Sequence, residues 1–278
     1  MNNGAMASAV ALQRCDQFVG RTMNWLYDHL RFVPRYTPLV LCDRLLNREE
    51  FPALNARLLK RESLSRRLWR RLTGYQWYPT DVLWLRRHPV RLLHSHFGYV
   101  AVDDLALRNV LEVPWVVSFY GADVYQLGRL PEWKTIYEPV FQHATRVLAL
   151  GPVMAARLKE LGCPEAKLSV HALGVDVSGL PSKPRLLRRG EPLKILFAGA
   201  FREKKGIEYV VEAAALAQRA GVRLELHLVG DQLGKPGDAE TKETVFRRIR
   251  GFGLERTAIH HSFLEFRQLI DLALSAHV

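Results

Sequence analysis

The segment Lys194-Ile195-Leu196-Phe197-Ala198-Gly199-Ala200-Phe201-Arg202-Glu203-Lys204-Lys205-Gly206 passes from an apolar run through a glycine to a short basic loop, and stops at a second glycine. Beyond it Ile207, Val210, Val211, Ala214 and Ala217 recur at helical spacing as far as Ala220, so a strand, a loop and a helix are predicted in that order. In an open parallel sheet, ligands lie at the carboxyl ends of strands, where the next helix directs its unsatisfied N–H groups and positive dipole end. A diphosphate would be stabilised at such a joint, with Arg202 offering a planar fork and Lys205 a mobile point charge. Read alone, a solvated basic turn accounts for Arg202, Lys204 and Lys205 equally well.

The same pattern extends outward on both sides. Downstream, Arg223–Val229 alternates Leu224, Leu226 and Leu228 as a strand and ends at Gly230-Asp231. There Gly230 would admit a ligand close to the backbone and Asp231 could accept from a hydroxyl, although a structural turn explains the pair more simply. A helix over Glu240–Arg250, an apolar run Thr257–Phe263 and a helix over Glu265–Ser275 complete roughly half of a doubly wound domain. Upstream, residues 178–192 carry Gly179, Pro181, Pro184, Gly190 and Pro192 among Lys183, Arg185, Arg188 and Arg189, a composition suited to an exposed connector. From Pro89 to about Val177 the order is strand (Arg91–His96), helix (Val100–Asn109), strand (Pro114–Phe119), strand (Thr145–Leu150) and helix (Pro152–Leu161) stopped by Gly162. The expectation is α/β architecture: a first Rossmann-like domain over 1–177, a linker over 178–192 and a partial second one over 193–278. Near the start, a strand ending at about Phe18 meets a helix over Asn24–Phe32 through Gly20-Arg21-Thr22, so Gly20 and Thr22 could face phosphates across a cleft. An ordinary cap at Thr22 fits as well.

The 278 residues carry 40 Lys and Arg against 28 Asp and Glu, a net charge of +12, which favours phosphate-rich partners without choosing among nucleic acid, anionic lipid and a phosphorylated substrate. Cys15, Cys42 and Cys163 form no metal or disulfide spacing, and no stretch approaches about 18 consecutive apolar residues. With no basic signal-like start, a cytoplasmic location is expected. Neither a Walker loop nor a Gly-x-Gly-x-x-Gly fingerprint is present. His94 and His96 point to one side of a strand, yet no third ligand accompanies them, and a hydrogen-bonded pair near the site outweighs a metal site. Residues 57–72 place Leu58, Leu64, Leu68, Trp69 and Leu72 on one stripe of a helix. Lys60, Arg66, Arg67, Arg70 and Arg71 fall opposite. Such a basic amphipathic helix either packs on the first sheet or docks on anionic lipid.

Five segments, taken together, resemble the family-4 retaining glycosyltransferases of the GT-B type. Gly199 to Gly206 resembles the Gly-Arg-x-x-Glu-Lys-Lys-Gly box of that family, Gly230-Asp231 its Val-Gly-Asp-Gly turn, and Gly174-Val175-Asp176 the Gly-Val-Asp before its linker. Phe119-Tyr120-Gly121-Ala122-Asp123 resembles its His-Gly-x-Asp segment, and His94-Ser95-His96-Phe97-Gly98 its His-Ala-His-Phe strand. The resemblance implies two Rossmann-like domains facing a cleft, and transfer of a sugar from a nucleoside diphosphate to a lipid-linked or polysaccharide acceptor with retention, without a metal or other cofactor. It implies catalytic roles for Lys205, Arg202 and Asp123, donor contacts at Gly199, Gly206, Gly230 and Asp231, and acceptor-side contacts at Tyr120, Gly121 and His96. Work at the inner membrane face is implied too, with residues 57–72 as the anionic-surface contact. Three departures follow. Ala200 stands where the family has arginine, so Arg202 would supply the guanidinium. Tyr120 replaces a histidine and, with a pKa of about 10, is no base near neutrality. The chain stops before the family's Glu-x7-Glu segment, so a fragment is expected. The competing reading is a non-catalytic fragment or a basic membrane- or nucleic-acid-binding protein; nucleic acid is disfavoured because the aromatics are not interleaved with the basic residues.

Overall fold

The computed structural model describes residues 9–20, 24–33, 35–49, 51, 55–59, 63–73, 77, 79–181, 185–234 and 237–278. They fall into two compact units, Met1–Asp176 and Val177–Val278.

The first unit begins with β1 (Val10–Phe18), α1 (Asn24–Arg31), β2 (Thr37–Leu45), β3 (Asn55–Leu58), α2 (Leu64–Thr73) and α3 (Pro79–Arg86). It continues with β4 (Val90–His96), α4 (Gly98–Leu111), β5 (Trp115–Ser118), α5 (Glu132–His143), β6 (Arg146–Ala149), α6 (Pro152–Glu160) and β7 (Leu168–Val170). The strands form one parallel sheet in the order β3-β2-β1-β4-β5-β6-β7. Both faces are covered, which is why β1 is buried almost throughout rather than alternating. Leu12, Leu39, Leu41 and Leu93 join the core beneath α3, α4 and α5, whereas Cys15, Val40 and Cys42 pack against Leu26 and Leu30 of α1. Strand order reverses between β1 and β4, and at such a switch point an open α/β sheet leaves a crevice for a ligand.

A buried polar network pins this sheet. Arg14, in the middle of β1, is fully buried and pairs with Asp43 at 2.9 Å and Asp104 at 3.2 Å. Asp104 accepts from Ser95 Oγ, which accepts in turn from Trp115 Nε1. Burial lowers the Arg14 pKa, but the two carboxylates outweigh it, so the guanidinium is held charged.

The second unit contains β8 (Leu193–Ala198), α7 (Ile207–Arg219), β9 (Leu224–Val229), α8 (Asp238–Gly251), β10 (Ala258–His261) and α9 (Phe266–Ser275). Its parallel sheet runs β10-β9-β8. Leu224, Leu226 and Leu228 pack with Ile207, Val211, Val245 and Ile249 of α7 and α8, which covers one face. On the free edge of β8, His277 N donates to Lys194 O and Leu196 N donates to Val278 O, both at 2.8 Å, as in a further strand. Glu265 and Gln268 form a reciprocal capping box on α9.

The strands and helices read from periodicity are present, with ends shifted by one or two residues. One expectation fails: residues 57–72 are not a single helix. Residues 55–58 extend the sheet as β3, paired with Leu39–Cys42, and helix begins only at Leu64; Lys60 and Arg61 lie outside the described residues. Nor does the predicted leucine stripe pack on the sheet. Asp81, 1% exposed, draws Arg66 inward as a two-point partner, with the second contact at 2.8 Å. Trp69 follows, donating to Trp77 O. Leaving a buried carboxylate unpaired costs more than exposing leucines, so Leu64, Leu68 and Leu72 turn to solvent.

Candidate active site

Within the first unit the candidate residues gather at the switch point. His96, the last residue of β4, is fully buried and bonds Tyr120 OH through Nδ1 at 2.6 Å and Gln13 Oε1 of β1 through Nε2 at 2.9 Å. Gln13 Oε1 can only accept, so Nε2 carries the proton and Nδ1 accepts from the tyrosine hydroxyl. Burial, and then the charges of His94 and His29, hold His96 well below its ordinary pKa, so it stays a neutral imidazole. His94, whose ring centroid is 4.1 Å away, bonds Ser118 Oγ and is lowered to about 3 by burial, His29 and His171. Tyr120 also packs on Trp25 and Phe97, at centroid distances of 4.6 and 4.8 Å. Burial raises the tyrosine pKa further, which confines it to hydrogen bonding.

Asp123 performs a different task from the catalytic one the resemblance implied. It sits in a single π-helical turn over Ala122–Gln126, entered through Gly121 at φ 130°, a conformation that favours glycine. Its carboxylate is fully buried and accepts from the N–H groups of Gly121 at 2.8 Å, Gly98 at 3.0 Å and Tyr120 at 3.1 Å. Burial raises its pKa, opposed by those three donors. Both oxygens are therefore used inside the chain, locking the Tyr120 loop to the start of α4. Asp123 is a positioning residue, and Gly121 N is spent on it.

In the second unit the β8 joint carries the charge. After Gly199, Phe201 is fully buried, its N–H bonded to Asp231 O and its ring against His260. Glu203–Lys205 form a 3₁₀ turn that Gly206 closes in the left-handed conformation at φ 71°. Helix α7 then starts without a side-chain cap among the described residues, leaving first-turn amides for solvent or an anion. Arg202 is anchored: its Nε meets the buried Asp238 at 3.0 Å. Lys205 is exposed and, among the described residues, its ammonium has no partner. Lys204 is lowered by burial and then by the neighbouring charges of Arg202 and Lys205, the signature of three cations sharing one small region.

Gly230 has a reason internal to the chain. A Cβ there would lie 2.0 Å from Gly199 O, so its glycine lets β8 and β9 end in backbone contact. Asp231 is part-committed too, with Oδ1 accepting from Lys242 at 2.6 Å and from Gln232 N. Burial would raise its pKa, but these contacts lower it overall, and neither of them uses Oδ2. Gly20 closes the end of β1 against Gln17; Thr22 lies outside the described residues. Sequence reasoning missed Gln13, Ser118, Trp25 and Asp238, none of which belongs to a motif. Their roles come from strand register and chain reversal. Among the described residues, no group of three or more His, Cys, Asp or Glu is placed to hold a metal, and no helix is long and apolar enough to cross a membrane.

The family model of Glycosyltransferase Family 4 matches residues 32–178, and that of Glycosyl transferases group 1 matches residues 181–278. AmsK, the amylovoran biosynthesis glycosyltransferase of Erwinia amylovora, is 31% identical over 140 residues, which are 49% of this chain and 33% of AmsK. A glycosyltransferase named for colanic acid biosynthesis, WcaL of Escherichia coli (strain K12), is 28% identical over 138 residues, 49% of this chain and 34% of WcaL. The matched region thus spans about a third of these relatives. Among solved structures, Anabaena Alr3699/HepE in complex with UDP and glucose superposes with a TM-score of 0.73 at 15% identity, covering 96% of this chain and 72% of that one. Sucrose-phosphate synthase from Thermosynechococcus elongatus gives a TM-score of 0.69 at 15% identity, covering 96% and 74%. At these identities the superpositions speak for the fold, which is GT-B. With the family model matched over more than half its length, and both sheets wound as that fold requires, the chain belongs to the family-4, group 1 glycosyltransferases.

Proposed function

We propose that this chain provides the acceptor-side domain and the donor-diphosphate half-site of a glycosyltransferase of exopolysaccharide or cell-surface assembly. The enzyme would move a sugar from a nucleoside diphosphate to a lipid-linked or polysaccharide acceptor with retention of configuration, at the cytoplasmic face of a membrane. The observation that carries the reading is the β8 joint: Lys205 unpartnered among the described residues, Arg202 fixed by Asp238, and both beside the uncapped start of α7. As the glycosidic bond breaks, negative charge builds on the departing diphosphate, and donors already fixed around it stabilise that charge more than they stabilise the bound donor. The diphosphate is part of a substrate, and the side chains supply the compensating charge without a resident cofactor or metal. On the acceptor side, Tyr120 OH donates to His96, and its oxygen, which also takes a hydrogen bond from Ser118, would have one lone pair left for a saccharide hydroxyl. The relatives named for amylovoran and colanic acid synthesis, and the neighbour holding UDP and glucose, support this substrate class.

The test is calorimetric binding of UDP and GDP to the chain and to Lys205→Ala, which removes a side chain without partners among the described residues. Losing one charge-assisted contact of about 1.5–3 kcal/mol weakens binding roughly ten- to hundredfold. Arg202→Lys, which retains a cation for Asp238, is expected to weaken binding as well. Equal affinity in all three proteins overturns the donor site.

A further inference from the structure

Helix α2 is attached to its unit by one edge and presents the other to solvent. Arg66 and Trp69 point inward, to Asp81 and to Trp77 O. On the far side, Leu64, Leu68 and Leu72 recur every four residues, 83%, 57% and 74% exposed. Arg67, Arg70 and Arg71 stand beside them, and the helix holds no acidic residue. Among the described residues none of these three arginines has a carboxylate partner. Leu64 and Leu68 with the three arginines border a shallow depression of about 470 Å³.

An exposed apolar row flanked by cations of one sign is complementary to a surface that offers hydrocarbon below and negative charge above. A water-facing role leaves the leucines unexplained, and a helix whose charges are all of one sign beside an apolar row matches a surface that is uniformly anionic over an apolar layer. We infer that α2 is an in-plane docking helix for an anionic bilayer: Leu64, Leu68 and Leu72 enter the acyl boundary while Arg67, Arg70 and Arg71 lie among lipid phosphates. Arg66 is excluded from this surface by its pairing with Asp81, which sets the rotation of the helix and so aims the leucines outward. This deepens the membrane placement proposed above and names the contacting side chains. It is measured without donor or acceptor, so its failure is separable from that of the transfer reading.

The experiment is co-sedimentation of the full chain with phosphatidylcholine vesicles and with vesicles containing phosphatidylglycerol, at low and high salt. Binding is expected to require the anionic lipid and to weaken with salt. Leu64→Ser/Leu68→Ser/Leu72→Ser alters only exposed positions and is expected to lower the partition coefficient at least about a hundredfold. Arg67→Ser/Arg70→Ser/Arg71→Ser is expected to lower it by about a hundredfold, at roughly fivefold per arginine. Circular dichroism and the urea midpoint, unchanged in both variants, establish that they remain folded. No sedimentation with either vesicle overturns the proposal, as does binding that both variants retain. Concentration-dependent dimerisation abolished by the leucine variant, with vesicle binding unchanged, assigns the stripe to a second copy and overturns it too.

Discussion

Gly230 illustrates how a residue can carry a family motif for a reason internal to the chain. Its φ is 125°, where side chains are strained, and the space a Cβ needs is already filled by the carbonyl of Gly199. Backbone cannot retreat as a flexible side chain can, so both penalties act together. Gly230→Ala is expected to cost about 3 kcal/mol or more, read as a lower urea midpoint of the second unit. A near-neutral result would mean that the two strand ends are not in contact. Asp123 teaches the same lesson from the opposite unit: a carboxylate in a recognised position turns out to be consumed by Gly98, Tyr120 and Gly121. Its work is to fix the loop that carries Tyr120.

At the level of elements, α2 shows how one buried charge overrides an amphipathic pattern. Helical periodicity alone would bury Leu64, Leu68 and Leu72, and the structure exposes them because Asp81 takes Arg66. Removing that partner leaves the buried carboxylate without its close counter-charge, so Arg66→Ala is expected to destabilise the first unit by about 3–5 kcal/mol. Arg57, 3.9 Å from the same oxygen, places the value toward the lower end. The double variant Arg66→Met/Asp81→Leu is expected to regain most of the loss, because an apolar pair of similar volume needs no counter-charge. Thermal and urea unfolding of the three proteins check this. If Arg66→Ala is neutral, the ion pair does not orient the helix.

Across the first unit, His29, His94 and His96 are lowered by burial first and then by neighbouring histidines brought from distant parts of the chain. His94 and His96 have folded pKa values below the unfolded value of about 6.5, so near pH 5 the unfolded chain binds more protons than the native one. The stability they contribute is complete above pH 6.5 and is lost as pH falls toward about 3, where His94 titrates. Each histidine is expected to add a slope of up to about 1.4 kcal/mol per pH unit in that window. Asp123, raised rather than lowered, acts with the opposite sign as pH rises above the ordinary carboxylate value. Urea midpoints between pH 5 and 8 for the chain and for His94→Gln test this. The variant should show a visibly shallower acid limb, and identical limbs would exclude His94 as a contributor.

Much of this molecule is local in origin. The alternation of Leu224, Leu226 and Leu228, the helical spacing from Ile207 to Ala217, and the glycines closing Ala198 and Val229 depend on neighbours a few residues away, so β8, α7 and β9 were legible from the chain alone. So was the cluster of cations before Gly206. The partnerships were not. Gln13 meets His96 across 83 residues because β1 and β4 are adjacent in the sheet. Arg202 meets Asp238 through the return of the chain after β9. Strands β2 and β3 carry too weak a pattern to be read without the partners that bury them, and the rotation of α2 depends on Asp81 beyond the helix. Periodicity tells which face of an element is apolar. Which face becomes buried depends on the charges that packing encloses, and those belong to other parts of the chain.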